Sequence, residues 1–249
     1  MRPRLKDKIA ESMGPLFYPL YVGWLMLAEI KSWRSFPAWI RSFRQSYSLL
    51  DEAKPWLPFK AANWLRRYVT RRMDVFEYGS GGSTIFLANL AGRVYSVEHD
   101  RNWYAIVSST LARRGITNCS CELREPHSIA RSSFAADCSR GSDLMFDERE
   151  WEFPGMTFEA YVKTIDAHPD ESLDLVLVDG RARAACLERA IPKIRKGGAL
   201  MLDNSNDRGI VDSLGLLQPY TRIDLHGIAP GWPPKRWTTS VWRMPGERG

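Results

Sequence analysis

The sequence predicts an α/β fold in which a mostly parallel sheet carries helices on both faces. From residue 74 onward, short runs rich in valine, leucine and tyrosine alternate with stretches of helical period. Strands that alternate with helices are typical of parallel sheets, because each crossover helix covers a face of the sheet. With 249 residues, 44% of them hydrophobic and 26% charged, the chain is long enough for one such domain with additional segments.

The individual elements follow from apolar spacing and from the turn residues between them. A helix over 58–72 follows the breaks at Pro55 and Pro58 and has apolar residues three and four positions apart. The five strands predicted after it lie at 74–78, 93–97, 118–123, 173–178 and 199–202. The helices predicted among them lie at 83–91, 102–114, 157–167 and 184–194. The tail predicts an antiparallel pair of strands at the end of the sheet, 221–225 and 238–243.

Two segments depart from this alternation. Residues 1–57 are predicted to form a helical extension, basic and rich in aromatic residues, ahead of a main domain at 58–249. Residues 124–154 are polar, lack periodicity and exceed the usual length of a connection. They are predicted to be an active-site cover or a mobile insertion within the domain.

Basic and aromatic residues at the start of the chain raise the question of a membrane. The net charge is +6, and many lysines and arginines precede residue 73, which indicates either an acidic neighbour or a solvated basic surface. The uncharged run from Ser12 to Ala28 is short for a spanning helix and contains two prolines. Residues 12–33 could therefore pack on the domain, lie on a membrane surface or span it.

The cysteines indicate a reducing compartment. The four cysteines show neither a Cys-x-x-Cys pair nor a Cys/His zinc spacing. Cys119 and Cys121 lie two apart in a predicted strand, a spacing that suits a disulfide poorly. We expect a cytoplasmic protein, and peripheral attachment to the inner face of the membrane stays open.

A glycine-rich turn follows the first predicted strand, in Glu77-Tyr78-Gly79-Ser80-Gly81-Gly82-Ser83-Thr84. Open α/β sheets bind nucleotides at such turns, because glycine lets the backbone approach closely. The carboxylate of Glu77 would repel a pyrophosphate at this turn but would attract the ammonium of a methionine moiety. Thr84 stands where the dinucleotide fingerprint has its third glycine, so that fingerprint fails.

A second acid, Glu98, ends the second predicted strand. It lies about 20 residues past Gly79, where a carboxylate can accept hydrogen bonds from both ribose hydroxyls. His99 follows directly and is expected to pack near the adenine. The predicted cofactor-binding residues are Glu77, Gly79, Ser80, Gly81, Ser83, Thr84, Glu98 and His99.

These motifs resemble those of class I S-adenosylmethionine (SAM)-dependent methyltransferases. The acid-x-Gly-x-Gly motif and the ribose acid are joined by the motif at 174–180 and by Lys196-Gly197-Gly198 before the fifth strand. The resemblance covers about residues 58–243. It implies a Rossmann-like sheet of seven strands in the order 3-2-1-4-5-7-6, with SAM at the ends of strands 1 and 2. It does not identify the methyl acceptor.

Three oxygen-bearing residues lie at the ends of the fourth and fifth strands: Asp179, Asp203 and Asn204. They could hold Mg²⁺, which prefers oxygen ligands, and the arrangement is similar to the metal site of catechol-type O-methyltransferases. Alternatively, Asp203 and Asn204 cap the next helix and Asp179 only lines the pocket. Asp179 is the predicted catalytic residue, facing the acceptor. The lysine common in those enzymes is absent after Asp179, so His99, His127 and His226 stay open as bases.

Two arginines, Arg181 and Arg183, fall at the predicted start of a helix, where the macrodipole disfavours cations. They are predicted to bind an anionic group of the substrate, or else to form salt bridges. Farther along, Trp232 and Trp237 in a Gly/Pro-rich segment predict either a loop over the pocket mouth or a packed aromatic corner.

The predicted function is O-methylation of a small or anionic acceptor by SAM. One alternative is a non-catalytic, membrane-peripheral binding protein on the same scaffold. Another is an NAD(P)-dependent oxidoreductase, against which the chain has no Tyr-x-x-x-Lys pair. A nucleic-acid acceptor is disfavoured, because no Asn-Pro-Pro-Tyr-type motif for a flipped base follows the fourth strand.

Overall fold

A central sheet and a small separate strand pair account for all strands in the described residues. In a computed structural model of the chain, these residues are 36–42, 47–128, 153, 155–206, 212–231 and 236–246. The strands are β1 Asp74–Tyr78, β2 Arg93–Glu98, β3 Cys119–Leu123, β4 His127–Ser128, β5 Met156–Thr157, β6 Leu173–Val178, β7 Ile194–Leu202, β8 Thr221–Ile228 and β9 Arg236–Arg243. The α-helices are α1 Phe36–Arg41, α2 Phe59–Tyr68, α3 Gly82–Ala88, α4 Arg101–Arg113, α5 Glu159–Val162 and α6 Arg183–Ala190. Short 3-10 helices cover Lys163–Ala167, Ile191–Lys193 and Asp212–Leu217.

The seven-stranded sheet has the order β3-β2-β1-β6-β7-β9-β8. Neighbouring strands are parallel from β3 to β7, and β9 runs antiparallel to both β7 and β8. Numbered within this sheet alone, the order is 3-2-1-4-5-7-6, so the predicted topology is confirmed. The chain reverses its direction of growth between β1 and β6, and ligands of open α/β sheets bind in the crevice at such a switch point.

Helices cover both faces of the sheet because alternate residues of its central strands point in opposite directions. Phe76 and Val176 belong to the buried cluster beneath α5 and α6. Val75 and Leu175 belong to the cluster on the other face, together with Leu65 of α2. The central strands are therefore buried on both sides, as expected for a parallel sheet.

Several element boundaries differ from the sequence prediction. The first helix of the domain ends at Tyr68, because Val69 is already extended, with φ −75° and ψ 134°. The last parallel strand, β7, begins at Ile194 and bulges where its register with β6 shifts. The predicted helix at 157–167 begins later, at Glu159, because Thr157 pairs with His127 in the small separate sheet.

The described part of the N-terminal extension packs against the domain. Residues 47–57 form turns rather than the predicted helix, and Leu57 is fully buried in the cluster that contains Leu65. Leu50 packs with Ile85 of α3. A β-carbon at Gly82 would lie 2.2 Å from the carbonyl oxygen of Lys54, so only glycine permits this approach. The boundary expected after residue 57 thus falls inside a packed region.

The segment considered for membrane attachment, 12–33, lies outside the described residues, as does most of the predicted insertion at 124–154. Within the ranges given above, none of the helices combines the length and the apolar character required to cross a membrane.

Candidate active site

A cavity of about 880 Å³ opens where β1, β2, β6 and β7 end at their carboxyl termini. Its volume falls in the range of about 300–1,000 Å³ that is typical of small-molecule sites. The glycine loop and the end of β2 form one side, and the ends of β6 and β7 form the other. Residues of the N-terminal segment complete the wall. The lining includes Gly79, Ser80, Gly81, Ser83, Glu98, His99, Trp103, Asp179, Arg181, Arg183, Asp203, Asn204, Trp56 and Trp237.

Gly79 holds the turn of the glycine loop close to β6. Its φ of +92° lies in the region that favours glycine, and an added β-carbon would meet the carbonyl oxygen of Asp179 at 2.7 Å. Its backbone N–H donates to the carbonyl of Val97 over 2.9 Å, and the N–H of Asp179 donates to the carbonyl of Tyr78. The loop is therefore fixed to the strands on both sides of it.

Glu77 lies fully buried behind the glycine loop and is not itself among the residues that line the cavity. Its Oε2 accepts hydrogen bonds from the hydroxyls of Thr84, at 2.6 Å, and Ser96, at 2.9 Å. Its Oε1 is buried and makes no well-formed hydrogen bond with the described residues. Burial raises the pKa of Glu77 to about 7, although the hydroxyls of Ser83, Thr84 and Ser96 act in the opposite direction.

Glu98, in contrast, is surrounded by donors. Its Oε2 accepts from the backbone N–H and the hydroxyl of Ser80, both at 2.9 Å. Its Oε1 accepts from the backbone N–H groups of His99 and Asp100. Burial would raise the pKa of Glu98, but the interactions with His99, Asp100 and Ser80 outweigh it and hold the pKa below its usual range.

Two ring systems, His99 and Trp103, flank this end of the cavity. The imidazole of His99 contacts the ring of Phe153, with a centroid separation of 5.7 Å. Its Nδ1 lies 2.8 Å from Oε1 of Glu98 but is not aligned for a hydrogen bond. The indole N–H of Trp103 donates to the carbonyl of Ser80 over 2.8 Å, which fixes the ring beside the glycine loop.

The opposite end of the cavity is formed by two carboxyl groups, Asp179 and Asp203. Oδ1 of Asp203 accepts from the indole N–H of Trp237 at 2.8 Å and from the hydroxyl of Thr239. Burial raises the pKa of Asp179, and the neighbouring Asp203 raises it further. Burial also raises the pKa of Asp203, but its donors favour its ionised form. Both carboxyl groups are therefore less readily ionised than an ordinary aspartate.

Arg183 supplies a positively charged side chain at this acidic end. Its guanidinium donates to Oδ1 of Asp179 at 3.3 Å, to Oδ1 of Asn204 at 3.1 Å and to the carbonyl of Asp203. Its Nε donates to the carbonyl of Gly180. The side chain turns inward because α6 begins directly after Ala182, whose left-handed backbone (φ +47°) redirects the chain. The charge of Arg183 is thus directed at protein acceptors.

The comparisons with known proteins concern the fold. No known family model matches the chain, and no curated protein sequence matches it. A methyltransferase-like protein from Silicibacter pomeroyi superposes with a TM-score of 0.51 at 22% identity, covering 79% of this chain and 90% of its own. The O-methyltransferase TomG from Streptomyces achromogenes, solved with SAM and involved in tomaymycin synthesis, gives 0.50 at 17% identity, covering 74% and 77%.

A third solved structure, from Streptococcus mutans, is assigned as a methyltransferase and contains S-adenosylhomocysteine (SAH). Its TM-score is 0.50 at 11% identity, with 75% of this chain and 98% of the other covered. This chain has the class I methyltransferase fold. At these identities, the likeness defines the architecture, while the acceptor depends on residues that such proteins do not share.

Within this methyltransferase fold, the end of the cavity that was expected to bind Mg²⁺ does not fit a metal ion. The guanidinium of Arg183 contacts Asp179 and Asn204 and would repel a cation placed between them. One oxygen of Asp203 is already engaged by Trp237 and Thr239. In the described part of the chain, no group of three or more His, Cys, Asp or Glu side chains could hold a metal ion. The expected magnesium site is therefore not supported.

The remaining residues that the sequence predicts for the site lie partly at the cavity and partly away from it. Arg181 lines the cavity, and its guanidinium lies 5.2 Å from the ring centroid of Phe153. His127 is exposed in β4, and His226 pairs with the hydroxyl of Thr238 at 2.6 Å on the β8–β9 pair. Of the three histidines considered as bases, His99 lines the cavity, and His127 and His226 do not belong to its lining. Cys119 and Cys121 are free, and burial raises the pKa of both thiols.

Sequence reasoning missed three residues of this site: Trp56, Trp103 and Ser96. Trp103 could have been found, because it follows Glu98 closely, in the first turn of a helix whose N-cap is Asp100. Ser96 lies two residues before Glu98 in β2, and the strand period places both side chains on one face. Trp56 belongs to the N-terminal segment and carries no local signal for its place at the cavity.

Proposed function

We propose that the chain is a SAM-dependent methyltransferase that transfers a methyl group to an oxygen of a small acceptor. The observation that carries this proposal is the unpartnered, buried oxygen of Glu77 next to the glycine loop. A buried carboxylate oxygen without a well-formed hydrogen bond is rare, and its negative charge would attract the ammonium group of a methionine moiety bound at the loop. The same negative charge would be unfavourable beneath the pyrophosphate of a dinucleotide, which weighs against an oxidoreductase.

The residues at this end would divide the binding of SAM among them. Bound SAM would supply an electrophilic methyl group, whose bond to sulfur breaks as the bond to the acceptor oxygen forms, leaving SAH. Gly79, Gly81 and Ser83 would make close contact along the loop, and Glu77 would attract the ammonium through the wall that Ser83 forms. Glu98 would hold the ribose, whose hydroxyls would compete with the Ser80 hydroxyl for Oε2.

Asp179 is the group that we propose to take the proton from the acceptor hydroxyl. Its side chain remains 21% exposed at the cavity, whereas that of Asp203 is engaged by Trp237 and Thr239. Its raised pKa means that, once ionised, it binds the acceptor's proton more strongly than an ordinary aspartate would. Arg183 would keep the pair from accumulating negative charge, and it serves as a positioning residue.

The charge and the class of the acceptor are separate questions. Arg181 lines the cavity wall, and its predicted role in binding an anionic group of the substrate stays a prediction. The fold does not distinguish small-molecule from nucleic-acid acceptors. The expectation against a nucleic-acid acceptor therefore stays a prediction, as does the role of Arg183 in binding substrate.

A labelling experiment tests the proposed activity. The protein is incubated with methyl-labelled SAM and cell extract, and the labelled products are separated by size before and after ribonuclease treatment. We expect one small labelled product that is insensitive to ribonuclease and is lost with the Asp179→Asn variant. Label that disappears with ribonuclease would assign the acceptor to RNA, and SAM binding without any labelled product would favour the non-catalytic binding protein.

Attachment to a membrane surface through residues 12–33 is proposed separately from catalysis. Its support is the aromatic and basic sequence of this segment. Flotation of the full chain with vesicles of neutral or anionic lipid tests it. Binding to anionic vesicles that is lost at high salt is expected for interfacial attachment, and failure to float with either vesicle would refute it.

A further inference from the structure

At the acceptor end of the cavity, two tryptophan rings form an aromatic corner to which none of the sequence motifs assigns a role. Trp56, from the N-terminal segment, and Trp237, at the start of β9, meet with their ring centroids 6.0 Å apart and their planes at 87°. Both indoles line the cavity that contains Asp179 and Asp203. Trp56 is 55% exposed although its ring is large and apolar, so a substantial apolar surface faces the cavity and solvent.

Both rings are held in place by their indole N–H groups. The N–H of Trp56 donates to the carbonyl of Pro230 over 3.1 Å, and the N–H of Trp237 donates to Asp203 over 2.8 Å. The segment that follows Pro230 is also tied to the N-terminal extension, since the N–H of Gly231 donates to the hydroxyl of Ser42. Rings that are fixed before a ligand arrives lose little conformational entropy when it binds.

The charges at this end select against a cationic occupant. Arg183 already contacts Asp179 with its guanidinium and Asp203 with a hydrogen bond to its carbonyl, and Arg181 lines the same wall. A ligand cation would therefore meet two arginines beside the carboxyl pair. A neutral planar ring could stack on one indole and meet the other edge-to-face, which is the geometry that aromatic pairs prefer.

We propose that Trp56 and Trp237 form the acceptor subsite and that it takes a neutral aromatic compound bearing the hydroxyl to be methylated. The inference rests on the proposed function, because it names the acceptor class for that activity. It also gives the N-terminal segment a role in acceptor specificity, since that segment supplies one of the two rings. Asp179 lies at the same end, so the hydroxyl of such a ring would face a proton acceptor.

Binding of matched alcohols to the full chain tests the subsite. Calorimetry at saturating SAH compares 2-naphthol with its saturated counterpart, decahydro-2-naphthol, and with tetramethylammonium. We expect 2-naphthol to bind at least about tenfold more tightly than the saturated alcohol, as ring stacking implies. Trp56→Leu should weaken 2-naphthol about tenfold and Trp56→Phe less than about threefold, because phenylalanine restores a ring.

Two controls separate this inference from the proposed function. Trp64→Leu removes an indole that stacks on Tyr68 in α2 and does not line the cavity, so it should leave 2-naphthol binding unchanged. The affinity for SAH should stay within about twofold in every variant, which shows that the fold is intact. The subsite is overturned if the saturated alcohol binds equally well, if tetramethylammonium is preferred, or if Trp56→Leu has no effect. If wild-type protein does not bind SAH, the proposed function fails, and the titrations without SAH test the subsite alone.

Discussion

The buried acids at the two ends of the cavity differ in whether a positively charged side chain accompanies them. At the glycine loop, Glu77 has an oxygen without a donor, and no arginine or lysine forms a described hydrogen bond or ion pair with it or with Glu98. At the far end, the guanidinium of Arg183 donates to the carboxylate of Asp179 and to the backbone carbonyl of Asp203. The glycine-loop end therefore favours a ligand that brings a positive charge, whereas the far end already contains the positive charge of Arg183.

This difference explains how one cavity could serve two ligands. A site that lacks a positive charge favours a ligand that brings one, as the methionine moiety of SAM does. A site that is already neutralised favours a neutral ligand, and it avoids the cost of leaving a charge buried when that ligand departs.

Arg183→Met should have the largest effect, because it leaves the carboxyl pair without its cation. Removing one partner from a buried ion pair costs about 3–5 kcal/mol of unfolding free energy. The loss should be greater at pH 8 than at pH 5, since protonation of the pair relieves the repulsion. Urea denaturation measures both values. Arg189→Met on the same helix is the control, because its pair with Asp166 is exposed and should be worth less than about 1 kcal/mol. Equal losses in the two variants would contradict the account.

Glu77→Gln should change stability in the other direction. The pKa of Glu77 in the folded state is raised to about 7 from 4.5. This shift does not affect stability below about pH 4.5, where the group is protonated in both states, and it destabilises the folded state fully above about pH 7. The neutral glutamine avoids this penalty, and at pH 8 the unliganded variant should gain up to about 3 kcal/mol. Thermal and urea unfolding at pH 5 and pH 8 measure the gain.

Glu98→Gln is the matched control for this second prediction. Because Glu98 is stabilised as a carboxylate by several donors, its variant should lose about 1–3 kcal/mol. Destabilisation of the protein by both substitutions at pH 8 would show that the two acids do not differ as described.

SAM affinity should fall as the pH is lowered. Only the ionised form of Glu77 attracts the ammonium, so each pH unit below about 7 should weaken binding up to tenfold, or about 30-fold at pH 5.5. Calorimetry between pH 5.5 and 7.0 avoids the range in which the α-amino group of SAM itself titrates. The SAM affinity of the Glu77→Gln variant should not depend on pH in this range. A pH-independent SAM affinity in the wild type would argue that Glu77 is not the titrating group that controls binding.

Trp103→Phe should produce the smallest effect. It removes the hydrogen bond that fixes the ring to Ser80 but keeps an aromatic ring beside the loop. The net value of such a bond is about 0.5–1.5 kcal/mol, so SAM affinity should fall about three- to tenfold. Calorimetry measures the change, with Trp64→Phe in α2 as a control that should bind SAM like the wild type.

The sequence predicts the glycine-loop end well because its chemistry is local. Glu77, Gly79 and Thr84 lie within one strand-turn-helix unit, and Glu98 ends the next strand, so spacing along the chain translates directly into proximity. The strand order also follows, since parallel strands and their crossovers leave few alternatives. These features need no knowledge of long-range packing.

The far end of the cavity was harder to predict because long-range contacts define it. Arg181 and Arg183 look alike in the sequence, but the left-handed backbone at Ala182 directs Arg183 inward, where it occupies the place expected for a metal ion. Trp56 and Trp237 meet across the chain only because the N-terminal segment packs on the domain. No periodicity or motif records that contact.

The role of Glu77 in binding the amino-acid moiety is tested by comparing SAM with 5′-methylthioadenosine, which keeps the adenosine and lacks that moiety. At pH 7.5, calorimetry measures both ligands, and NADH, on the wild type and on Glu77→Gln. We expect the substitution to weaken SAM binding at least about tenfold and to leave methylthioadenosine binding within about twofold, and we expect no binding of NADH. Equal losses for the two adenosine ligands, or binding of NADH in place of SAM, would contradict this expectation.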